Sequence, residues 1–188
     1  MYGFEVDGGF VFYKYRDLDG TLSLTEGHLK WFWDVMSQAG HIPTVFYDGS
    51  VECFEEFKKL ANDKGQHFFF GFKGNKPSGM FWVNGLAHRS CFVHLAIMPG
   101  FYREGTLKMG KGVLRHLLTA RDVAGRYVMD CIKGLIPSCN PLACQMAEKS
   151  GFSKIGIIPQ ATYFAAEDKS VDAVIFCAVR NSQDKQLS

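Results

Sequence analysis

Around Pro99-Gly100 the chain changes its hydrophobic period, and this change limits the possible folds more than any other feature. Before it lie three runs dense in aromatic and branched residues, expected as strands over His67–Lys73, Gly79–Ala87 and Ser90–Met98. The first two are joined by Gly-Asn-Lys-Pro-Ser, which is hairpin-loop chemistry. After it the apolar residues repeat at helical spacing from roughly 104 to 124, and a further strand is expected over 126–132.

The rest of the chain fills in around that change. A first strand is expected over Gly9–Tyr15, followed by turn material in Asp17–Thr21. Thr25 has the character of an N-cap for a helix reaching about Ala39, with Leu29, Phe32, Trp33 and Met36 on one side. Thr44–Asp48 reads as a short extended piece, and Ser50 as the opening of a second helix that stops at Gly65. Near the end come a helix from Pro141 to Ser150, a strand over Phe152–Ile158 and a last strand over Val171–Val179. Order and period together give one mixed α/β domain over residues 1–188, with a sheet that is partly parallel and partly antiparallel and a loose tail at 181–188.

With 188 residues, 47% hydrophobic, the chain can bury one substantial core; 17 Phe, 7 Tyr and 3 Trp would fill it. A net charge of +2 is too small to draw a nucleic acid or membrane partner by bulk electrostatics. No signal-peptide pattern opens the sequence, and its longest late apolar run is far below the roughly 20 residues of a membrane span. A cytoplasmic protein is expected, with its six scattered cysteines reduced. His88, Cys91 and His94 do not form an expected metal site, because a strand turns them to opposite faces and no fourth ligand is evident.

Two stretches carry chemistry. The N-terminus of the helix after Gly100 offers unpaired amides and partial positive charge, which suits a phosphate. Gly110 and Gly112 would admit a bulky anion to the backbone, and Lys108, Lys111 and Arg115 share one side of the helix. The alternative is a solvated basic face with two tolerated glycines. The other stretch, Asn140 to Phe152, is a short helix framed between strands, with Pro141 at its first position, Ala143 for close packing and Gly151 as its stop.

Strand, glycine loop, helix, strand, and then Asn140, Ala143, Glu148, Lys149, Gly151 and Phe152 at matching spacing together resemble the GNAT superfamily of acyl-CoA-dependent N-acyltransferases. The resemblance covers about residues 9–180 and extends to members found in phages and prophages. It implies a sheet splayed at the cofactor site, where acetyl-CoA lies between the strand ending at Met98 and the strand ending near Ile132. The pantetheine arm would bond the backbone of Leu95, Ala96, Ile97 and Met98, and an amide near Met98 would polarise the thioester carbonyl. The pyrophosphate would sit near Lys108, Met109, Gly110, Lys111 and Gly112, with Arg103 contributing, and Asn140 would face the arm from the other side.

The chain departs from the family pattern twice. Leu107 stands where the phosphate loop usually has Arg or Gln, as if Glu104–Leu107 were extra loop. Ala147 stands seven residues after Asn140, where many members have a Tyr that protonates the departing thiolate. A thiolate can leave without an acid at moderate cost, and Tyr102 or Tyr163 are candidates to replace it. Candidate bases are His94 and Glu104; Asp130 is a further titratable group in an expected inner strand, where the alternative is a strand end reaching water.

The resulting expectation is transfer of an acetyl group from acetyl-CoA to an amine on a small molecule or a protein, with a homodimer as the candidate assembly. The acceptor would enter between the first two helices and the loop joining the last two strands, past Trp33, Trp82 and Phe101. Two rivals stand beside it: a non-catalytic acyl-CoA-binding protein, favoured by Ala147, and a nucleic-acid binder using Phe68, Phe70 and Phe72 on one strand face.

Overall fold

The computed structural model describes residues 3–16, 23–102 and 104–180, with the side chain of Glu104 excluded. Arg103, the Glu104 carboxylate, the expected turn at 17–21 and the tail at 181–188 therefore lie outside the described residues. The strands are β1 Gly3–Val6, β2 Phe10–Lys14, β3 His67–Lys73, β4 Lys76–Ala87, β5 Ser90–Ile97, β6 Cys131–Pro137, β7 Ser153–Phe164 and β8 Lys169–Val179. The helices are α1 Glu26–Gln38, α2 Ile42–Val45, α3 Phe54–Asn62, α4 Glu104–Thr119 and α5 Pro141–Ser150.

All eight strands form one sheet in the order β1-β2-β3-β4-β5-β6-β8-β7. Every neighbouring pair is antiparallel except β5 with β6, which α4 connects as a crossover. The helices divide between the two faces because each has one apolar side. Leu29, Phe32 and Met36 of α1 and Phe57 of α3 pack on Phe68, Phe70, Met80 and Trp82. Met109, Val113, Leu114 and Leu117 of α4 pack on Phe12, Phe69, Phe81 and Ile132 on the other face. Each such side chain contributes on the order of 1.5–3 kcal/mol by leaving water. Phe68 and Phe70 are 2% and 1% exposed and Phe72 is half-buried against Phe32, so the aromatic face of β3 is packed under α1 and α3.

Several elements differ from their expected form, each for a local reason. Thr44–Asp48 is not extended, since α2 occupies Ile42–Val45 with Pro43 in its first turn, where proline is pre-shaped for a helix. Ser50 does not open α3; its amide and hydroxyl both donate to Asp48 Oδ1 in a turn, and Cys53 is the N-cap. There Glu56 accepts from the amides of Glu52 at 2.7 Å and Cys53 at 3.2 Å. The helix after Gly100 stops at Thr119, and 126–130 is not strand. Asp122 Oδ1 accepts from the amides of Ala124 and Arg126, which holds that segment as a loop.

Candidate functional site

β5 and β6 are paired only at Ser90–Cys131, Cys91–Ile132 and Phe92–Lys133, although both strands run on. From Val93 to Ile97 the edge of β5 that faces β6 has no ladder partner among the described residues, while its other edge stays paired to β4. Val93, His94, Leu95 and Ile97 are only half-buried despite lying in a central strand, as a gap beside them requires. The opening therefore runs along β6 as far as Pro137, whereas the expectation ended that strand near Ile132.

The phase of β5 decides which amides face the gap. Met98 donates its N–H to the carbonyl of Ser78, beside β4, at 2.9 Å. Along an antiparallel pair the main-chain groups alternate in direction, so Ala96 and His94 also address β4. Val93, Leu95 and Ile97 direct theirs into the gap. Met98 is thus corrected as a carbonyl-polarising amide, because its donor is already used.

The turn after β5 brings the start of α4 to this open end. Among α4's described residues the amides without an intrahelical acceptor are those of Glu104, Gly105 and Thr106, since the amides from Lys108 onward bond within the helix. The amides of Lys108–Gly112, where an anion was expected, are therefore taken up within the helix. Met109 is fully buried in the α4 core. A Cβ on Gly110 would overlap the Ser150 hydroxyl of α5, and one on Gly112 would overlap Val6 of β1. These two glycines allow helix packing. Lys108 lies with its Cδ beside Gly8, and Lys111 is exposed. Asn140 caps α5: its Oδ1 accepts from the amide of Ala143 at 3.1 Å, and its own amide donates to Pro137, the last residue of β6.

On the α1–α3 side of the gap stands His94. Its ring stacks on Trp82 at 4.7 Å with 5° between planes, and its Nε2 is buried with no hydrogen-bond partner. Burial pulls its pKa down to about 4, partly offset by the charge of Asp48, so the imidazole is neutral at physiological pH. Trp82 stacks in turn on Phe46 at 5.8 Å. Phe46 lies in the wall of a cavity of about 450 Å³ between α1, α2 and the 3-10 turn Ala165–Glu167 that joins β7 to β8. The amide of Ala165 donates to Tyr47 at 2.9 Å, and Tyr47 stacks on Phe164 at 5.1 Å, which ties the two walls together.

This cavity occupies the expected entry side. Trp33 lines it, while Trp82 sits behind Phe46 and Phe101 packs against Phe10 at 6.0 Å, outside it. Phe46, Tyr47 and Asp48 were missed because they were read as an isolated extended piece; the only signal was an aromatic pair next to an Asp. Tyr163 is not brought to His94. It is exposed, and its hydroxyl donates to Asp168 at 2.8 Å at the tip of the last hairpin. The Tyr102 hydroxyl lies 2.9 Å from Nδ1 of His41, so it bridges the β5–α4 turn and the start of α2. Ala147 is buried against Val174 and Phe176 of β8.

Asp130 lies just ahead of β6, half exposed between Arg89 at 3.0 Å and Arg180 at 3.1 Å, at the far end of β5 from the opening. Cys91 packs with the α4 core and His94 with Trp82 on the opposite face. All six cysteines are free, and Cys131 and Cys177 approach to 3.2 Å between sulfurs. No helix among the described residues is long and apolar enough to cross a membrane.

No family model and no curated protein sequence matches the chain. Solved structures do. A spermidine N-acetyltransferase from Vibrio cholerae, in complex with CoA and spermine, is 16% identical with a TM-score of 0.72, over 94% of this chain and 98% of the other. A ribosomal alpha-N-protein acetyltransferase in complex with coenzyme A is 13% identical with a TM-score of 0.72, over 96% and 99%. A third similar structure, described as a putative acetyltransferase, has a TM-score of 0.72 and 13% identity, over 97% and 89%. The chain has the GNAT fold.

Proposed function

We propose that this chain transfers an acetyl group from acetyl-CoA to a primary amine. The observation that carries the reading is the parted pair β5/β6, with an unpaired strand edge leading straight into the free amides of α4. An extended pantetheine arm suits such an edge, which can take another extended chain by strand-like bonding. Leu95 and Ile97 would hold the arm, the amides of Glu104–Thr106 the pyrophosphate, with Lys111 as a cation further along the helix, and Asn140 would flank the arm from the α5 side. When bound, acetyl-CoA supplies an activated carbonyl joined to a thiolate leaving group.

The chain's own part is to position, polarise and move a proton. The Leu95 amide, aimed into the gap, donates to the carbonyl oxygen as negative charge develops there. The amine arrives as its free base from the α1–α2 side, and its nitrogen forms the new bond to the carbonyl carbon while the carbon–sulfur bond breaks. As it attacks, that nitrogen becomes acidic, and neutral His94, stacked on Trp82 beside the gap, is the side chain that would take its proton. The proton then passes to the departing thiolate through His94 or solvent, so no acid at the Ala147 position is needed.

Release of free CoA from acetyl-CoA, followed with a thiol reagent across a panel of amines, tests the reading. One specific observation favours a second: Ala147 is locked into the sheet-facing side of α5, so nothing on that helix supplies the usual acid. A chain that only binds acyl-CoA would gain thermal stability from acetyl-CoA yet release none of it as CoA.

A further inference from the structure

We infer that the acceptor is a primary amine carried on a compact apolar body of arylalkyl size, and not a polyamine. The inference rests on the acetyl-transfer reading and concerns the cavity between α1, α2 and the 3-10 turn. Trp33, Ile42, Pro43, Phe46, Tyr47 and Val51 make its walls predominantly aromatic and aliphatic. The volume of about 450 Å³ is at the small end of those that enclose drug-sized ligands.

Charge is scarce there. Among the described residues Glu52 is the one carboxylate in the lining, and Ser37 the one hydroxyl besides Tyr47. A polyamine with several ammonium groups would leave most of them desolvated and unpaired against aromatic walls. A monoamine leaves only its reacting nitrogen to be neutralised, and Glu52 at the rim can attract the cation before it sheds its proton. The imidazole lies two rings behind that wall, in a stack from Phe46 to Trp82 to His94 at 5.8 Å and then 4.7 Å. An apolar body seated against Phe46 would extend its amine arm past the edge of that stack toward the gap.

The wall opposite is a pair of small residues, Ala165 and Ala166, on the 3-10 turn. Ala166 is exposed, so enlarging it narrows the cavity without disturbing the core.

The test compares 2-phenylethylamine with spermidine in the full chain and in Ala166→Phe, after thermal shift with acetyl-CoA alone. The expected result is a kcat/KM at least about tenfold higher for 2-phenylethylamine, because an apolar group is gained and no spare ammonium is buried. Ala166→Phe should raise its KM about tenfold while the acetyl-CoA shift stays as in the parent chain. Equal or better use of spermidine, or a KM indifferent to Ala166→Phe, overturns the inference and leaves acetyl transfer standing. Absence of any acetyl-CoA shift overturns the transfer reading itself, and the inference with it, before an amine is added.

Discussion

Met98 donates its amide to the carbonyl of Ser78 at 2.9 Å, and this one bond sets the direction of every main-chain group in β5. It turns Leu95 and Ile97 toward the gap and Ala96 toward β4. Acetyl-CoA should therefore slow hydrogen exchange at the amides of Leu95 and Ile97, while Ala96 and Met98 are protected before it is added. Protection gained at Ala96 and Met98 instead would show that the strand edge has been assigned to the wrong phase.

His94 should be required for turnover and dispensable for the fold. His94→Phe keeps a ring on Trp82 and removes the proton acceptor, so kcat should fall on the order of a hundredfold. Its melting temperature should stay level or rise, since an unpartnered buried nitrogen is removed. In the parent chain, with the His94 pKa held down to about 4, kcat/KM should show no inflection near 6.5. It should climb instead with deprotonation of the amine. Full activity in His94→Phe would remove His94 from the mechanism.

Stability should fall on mild acidification. Burial holds His94 and His116 down to about 4, against 6.5 for a free imidazole. Below pH 6.5 the unfolded chain takes up protons that the folded chain refuses, so stability is lost as pH drops from 6.5 toward 4. The slope is at most about 1.4 kcal/mol per pH unit for each imidazole. Urea unfolding at pH 7, 5.5 and 4.5 measures it. His116→Phe, which preserves the stack on Phe4, should flatten the profile, and an unchanged profile would contradict the assignment.

Gly112 should matter for packing more than for phosphate. A methyl at Gly112 meets Val6, so Gly112→Ala should destabilise by about 1–3 kcal/mol from overpacking, partly offset by about 1 kcal/mol of helix propensity. Acetyl-CoA affinity, measured below the melting range, should stay within about threefold. A large loss of affinity at unchanged stability would return Gly112 to the phosphate site.

Thiol reagents should separate the cysteines by environment. Cys53 and Cys139 are exposed, whereas burial pushes Cys91 and Cys177 up to about 11. At pH 7.5 the first two should label quickly, and Cys91 should label at the rate of unfolding. Prompt labelling of Cys91 in the native chain would mean that the α4 face opens.

Much of the scaffold was legible because its signals are local. Thr25 ahead of Leu29, Phe32, Trp33 and Met36 gives α1 within a residue, and the Asn140–Gly151 frame gives α5 to its bounds. β3 was likewise read at its full length. What failed depended on partners that a sequence does not display. β1 has only four residues and is held by pairing with β2. The strand expected over Phe152–Ile158 runs on as β7 through an irregular step with Gln160 at φ 50°. The glycines of α4 fit two readings equally well until Ser150 and Val6 appear beside them. The cavity wall was missed for the same reason, because Phe46 and Tyr47 acquire meaning only against Trp82 and Ala165.

The three rungs between β5 and β6 also have a mechanical meaning. Among the described residues they are the only ladder joining a five-strand half of the sheet to a three-strand half, so the molecule resembles two plates fastened along a short seam. A linear guest lying along the open part of that seam would complete the stitching. The chain should then be stiffest when loaded, and shedding the spent carrier should loosen both plates at once.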